Sequence, residues 1–122
     1  MAQLTYVSRI DASLVHDWIY TDFTRDNNWN VWDLSAIVPE NAVAVQLLWY
    51  MKRTAAARTW YLRAVGSTAT YANWLLLGGA ANLGVTMTPL VPLSADRTIE
   101  YKIDNLNWND GSLNVLGWFL YE

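Results

Sequence analysis

Strict alternation of apolar side chains constrains this chain more than any other feature. Val43, Val45, Leu47, Trp49 and Met51 fall on one face of an extended backbone, and Ala44, Gln46, Leu48, Tyr50 and Lys52 fall on the other. That is a long strand with one face in a core. Ile99, Tyr101 and Ile103 alternate in the same way with Thr98, Glu100, Lys102 and Asp104, as in an antiparallel sheet with one wet side.

Seven further runs are rich in β-branched and aromatic residues: 4–10, 15–21, 29–34, 58–65, 71–76, 85–91 and 113–121. No segment carries a sustained apolar stripe at helical spacing, and the alanine-containing run 54–58 is too short for a stable helix. Pro39 to Asn41 marks a turn before the strongest strand, Gly66 and Ser67 mark another, and Asn109, Asp110 and Gly111 form a hairpin signal. These signs predict an all-β fold: an antiparallel β-sandwich, jelly-roll-like, of about eight to nine strands with very little helix. With 122 residues the chain is expected to be one domain, 1–122.

Composition narrows the function. Only 16% of residues are charged, against about a quarter in an ordinary soluble domain, so some apolar surface is expected to meet a partner. Net charge is −3 and the eight Lys and Arg are scattered, which argues against nucleic acid. With no Cys there is no disulfide, thiolate zinc site or thiol nucleophile. The N-terminus lacks the basic and apolar regions of a secretory signal, and residues 74–85 are too short and glycine-rich to span a bilayer, so a soluble chain without membrane contact is expected.

The eight tryptophans are the most unusual component. Strand phase assigns Trp49 and Trp60 to the core. Trp29, Trp74 and Trp108 lie beside polar or glycine-rich turns and are the expected exposed aromatics, suited to a protein interface or to stacking on a sugar. In residues 113–121, alternation sets Leu116, Trp118 and Leu120 against Leu113, Val115, Phe119 and Tyr121, so both faces need cover. Leu116, Trp118 and Leu120 are therefore the candidate interface, and the strand is expected to be central or interfacial.

Catalytic parts are sparse. No nucleophile motif surrounds a serine, Gly78-Gly79 lacks the lysine and spacing of a P-loop, and a glycosidase-like carboxylate pair is not signalled. His16, beside Asp17, is the sole histidine and lacks the co-ligands zinc requires. Asn105, Asn107, Asn109 and Asp110 resemble a calcium loop but lack its bidentate acid, so a polar hairpin end is expected. No cofactor, metal or catalytic residue is expected, and the chain is read as a non-enzyme.

The run from Trp32 to Val45, with Asp33-Leu34-Ser35, Val38-Pro39 and then a long apolar strand, is similar to a pattern in small β-sandwich virion modules of tailed bacteriophages. The ending Val115-Leu116-Gly117-Trp118-Phe119 resembles the close of the same modules. The resemblance covers about a third of the chain and rests on structural motifs, so it carries over no catalytic residue. It implies a capsid decoration or accessory protein in a virion, made in the host cytoplasm and bound to capsid or other virion proteins, as a homo-oligomer for which the resemblance alone favours a trimer. The alternative is a carbohydrate- or receptor-binding module that uses Trp29, Trp74 and Trp108 to hold a glycan.

Overall fold

The structure, a computed structural model, describes residues 3–9, 16–52, 59–67, 74–77, 84–106, 108 and 110–121; for 74–77 it describes the backbone. Among the described residues ten strands run in chain order: β1 (Leu4–Ser8), β2 (Trp18–Ile19), β3 (Asn30–Asp33), β4 (Ala42–Lys52), β5 (Thr59–Ala64), β6 (Trp74–Leu77), β7 (Gly84–Met87), β8 (Leu90–Pro92), β9 (Thr98–Ile103) and β10 (Asp110–Tyr121). A single 3-10 turn at Tyr20–Asp22 is the only helical element among the described residues.

The strands form two antiparallel sheets. The first has the order β1-β10-β4-β7, with β2 also on β10 and β8 also on β4; the second has the order β3-β9-β5-β6. The pairs β1:β10, β3:β9, β4:β7 and β5:β6 nest inside one another, as if one long antiparallel ribbon had been wound up from its β5–β6 tip. That winding is a jelly-roll topology. It joins the chain's two ends in one sheet, so no fold of this kind forms from local contacts alone.

Alternation builds the core as expected. Val45, Leu47, Trp49 and Met51 of β4 face Trp60 and Leu62 of β5 and Ile99, Tyr101 and Ile103 of β9, and all are buried. Aromatic rings fill the gap edge to face: Trp49 against Trp60 at 5.7 Å, and Phe23 against Trp60 and Tyr101 at 5.1 Å each. The indole N–H groups of Trp32, Trp49 and Trp60 are buried and find no acceptor among the described residues, so the value of these side chains lies in ring packing.

Three features depart from simple alternation. Run 85–91 is two strands, because Pro89 cannot donate to the ladder on β4. Val43 is 39% exposed instead of core, since it is the extra residue of a bulge where Leu120 pairs with Ala42 and Phe119 with Ala44. The third is the largest. A second bulge lies between Val115, opposite Leu47, and Gly117, opposite Gln46, and leaves Leu116 as the extra residue of β10.

The expected hairpin at Asn109–Gly111 is also corrected. β9 and β10 belong to different sheets, and Asp110 and Gly111 are already part of β10; Asn107 and Asn109 lie outside the described residues. The connection is a crossing between layers, held by Asp104. Its Oδ2 accepts from the Thr59 amide at 2.6 Å, and its Oδ1 accepts from the Trp108 indole N–H at 3.0 Å. The Trp32–Val45 run is likewise a corner from one sheet to the other. There Asp33 accepts the Ser35 amide at 2.8 Å, and Arg97 donates to the Val38 carbonyl at 3.0 Å.

Candidate functional site

The bulge at Leu116 decides which β10 side chains are free. Before it Leu113 and Val115 point inward and are fully buried; after it Trp118, opposite Val45, and Leu120 turn inward and pack on the core. Strict alternation predicted Leu116, Trp118 and Leu120 as one outer face. The structure instead separates them, with Leu116 at the bulge and the other two half-buried against the core. The strand is central, as expected, between β1 and β4.

A polar knot holds the bulge. Alongside β10, between the stretches paired by β1 and β2, Asp17 bonds the strand directly: its Oδ2 accepts the Val115 amide at 2.7 Å and pairs with Arg9 Nη1. The Asp17 amide donates to Asn114 Oδ1 at 2.7 Å, and the Arg9 amide donates to the Leu116 carbonyl at 2.8 Å. His16 is exposed, with Nδ1 3.4 Å from the Asn114 amide nitrogen. Asp17 thus braces β10 and does not orient the neighbouring imidazole.

The outer side of the first sheet divides in two. At the β1–β8 end the outward positions are Leu4, Tyr6, Ala44, Leu90, Phe119 and Tyr121, together with Ser8, Gly117, Gln46 and Pro92, and none is charged. Leu4 is 59% and Tyr121 57% exposed, and Tyr6 and Phe119 stack at 5.0 Å. β1 lies at the sheet edge and has no Lys, Glu, Asp or Pro, the residues that usually blunt an edge. At the β2–β7 end an open depression of ≈ 400 Å3 is lined by His16, Leu48, Tyr50, Thr86, Asp110, Ser112 and Asn114.

The outer side of the second sheet is different. Arg63 pairs with Glu100 at 2.9 Å, and its guanidinium sits 3.8 Å over the Trp29 ring; Lys102 lies 5.6 Å over Tyr61. This is the wet face foreseen from the alternation at 98–104.

Family models, curated proteins and solved structures were compared with the chain. None matches.

The three expected exposed tryptophans do not form a platform. Trp108 is 7% exposed, with its ring against Trp60 and its N–H on Asp104, a correction that follows from the layer crossing it supports. Trp29 is half-buried with one face under Arg63. Trp74 pairs with Leu62 in the backbone register, and its side chain lies outside the described structure. The sequence reading missed Tyr50, Ser112 and Asn114 as a group. The available signal was their outward phase, alternating with Trp49, Leu113 and Val115.

Tyr50 Oη donates to Asp110 Oδ2 at 3.3 Å; partial burial pushes its phenol above the ordinary value, and the Asp110 charge adds to this. No group of three or more metal-ligating side chains occurs among the described residues, and no described helix is long and apolar enough to cross a membrane.

Proposed function

We propose that this chain is a structural subunit of a larger particle, an accessory or decoration protein of a virion like those its sequence resembles, and that copies of it associate through the β1–β8 end of the first sheet. The observation that carries the reading is the contrast between the two outer faces. One bears Arg63, Glu100 and Lys102, whereas the β1–β8 end of the other presents Leu4, Tyr6, Phe119, Tyr121 and Leu90 without a charge. Contiguous apolar surface on a folded domain marks a place where protein is meant to sit. The unprotected β1 edge beside it supports the same use. Jelly rolls serve both capsid and lectin proteins, so the topology is compatible with this role without selecting it. The role contains no catalytic step.

Sedimentation of the purified chain at high micromolar concentration tests it. Association is expected for the native chain and its loss for Leu4→Lys combined with Tyr121→Lys, with unchanged circular dichroism because both side chains are exposed. A native chain that remains strictly monomeric would refute assembly through this face.

A further inference from the structure

The depression at the other end of the same sheet has a chemistry that the assembly role does not use. Its floor is Ser112, only 2% exposed, and Asn114, also buried; its walls are Tyr50 and Leu48 of β4, Thr86 of β7 and Asp110 of β10. Ser112 and Thr86 make no side-chain hydrogen bond among the described residues, and both line the open depression. Hydroxyls placed there can donate to and accept from a ligand. Asp110 keeps most of its accepting capacity, because its one side-chain bond is the long one from Tyr50, and it forms no ion pair with Lys52 across the strand pair.

We infer that this depression is a binding site for a neutral saccharide, formed by Tyr50, Leu48, Thr86, Asp110, Ser112 and Asn114. Each sugar hydroxyl both donates and accepts, which matches a floor mixing hydroxyls, an amide and one carboxylate. Asp110 accepts from adjacent sugar hydroxyls, while Ser112 and Thr86 supply groups of either sense. The Tyr50 ring and Leu48 give the apolar patch that a sugar's C–H face needs. Tyr50 is held in place from below: a Cβ added to Gly84 would lie 2.8 Å from its Cε1, so the ring rests directly on the β7 backbone. The carboxylate and the chain's net charge of −3 disfavour phosphate and acidic ligands. The site is not a hydrolytic triad, since Ser112 makes no hydrogen bond to His16 and the Asp17 carboxylate is committed to Arg9 and Val115.

The test is titration of the isotope-labelled chain with free glucose, galactose, mannose and N-acetylglucosamine, followed by amide NMR. At least one sugar is expected to give saturable shifts centred on Thr86, Ser112 and Asn114, with a dissociation constant on the order of 1 mM. Asp110→Asn, which keeps shape, and Tyr50→Ala, which removes the ring, should each weaken binding about tenfold or more. The Leu4→Lys, Tyr121→Lys chain should bind the sugar unchanged, so failure of the assembly role and failure of this site are separable. Absence of saturable shifts with all four sugars overturns the inference. So do shifts centred on Trp29 and Tyr61, or equal binding by Asp110→Asn and Tyr50→Ala chains that melt like the native one.

Discussion

Asp104→Ala removes the carboxylate that holds the crossing from β9 to β10, and the cost follows from the donors it leaves behind. The Trp108 indole N–H, at 3.0 Å in a ring only 7% exposed, is enclosed, and the half-buried Thr59 gives its amide at 2.6 Å and its hydroxyl at 3.3 Å. The Leu106 amide, at 3.3 Å in an exposed residue, can turn to water. An orphaned buried donor costs about 1–3 kcal/mol, so the substitution should destabilise the fold by about 3 kcal/mol. Unfolding entropy of about 2.1 cal/mol/K per residue turns that into a fall in Tm of roughly 12 °C for a chain of this length. Thermal and urea unfolding, followed by Trp fluorescence, measure it. Trp108→Phe keeps the ring and removes the donor, so in a double-mutant cycle the two changes should couple by about 1 kcal/mol or more. A loss below about 1 kcal/mol, or strict additivity, would refute the reasoning.

Other outcomes test the bulge and the surface. Gly117→Ala should destabilise by about 1–3 kcal/mol in urea unfolding, because an added Cβ would run into the Tyr6 ring and the Val7 carbonyl across β1; a neutral effect would mean that β1 is not seated as described. Trp118→Asp should lose about 3 kcal/mol or more, since the ring packs on the core opposite Val45, whereas a folded mutant with altered assembly alone would restore it to an outer face. Asp33 accepts the Ser35 amide and hydroxyl, with Arg97 adding a smaller attraction, which holds its carboxyl below the ordinary value. Its stabilising contribution is therefore present above the ordinary Asp range and lost as pH falls through the lowered value, and an NMR titration should find Asp33 protonating after free Asp does.

What the chain's sequence determined by itself is what depends on neighbouring residues. Alternation in 43–51 and 98–104, β-rich runs and the lack of a helical stripe were enough for an all-β sandwich, because side-chain direction in a strand repeats every two residues whatever it pairs with. Trp49 and Trp60 were core by phase, and they are. Tertiary structure decided everything that depends on register between distant segments. The bulge at Leu116 turns Trp118 and Leu120 inward, and it exists only because β10 must match β4 on one side while Arg9 and Asp17 hold it on the other. Gly117, a glycine inside an apolar strand, was its one local sign. The partner sheet likewise decided that β9 is followed by a strand of the other layer and not by a hairpin partner, that Trp108 is enclosed by Asp104 and Trp60, and that Tyr50, Thr86, Ser112 and Asn114 from three strands share one depression. Two strands can pair only in one register at a time, and that choice is made by the whole core together, so no window of sequence contains it.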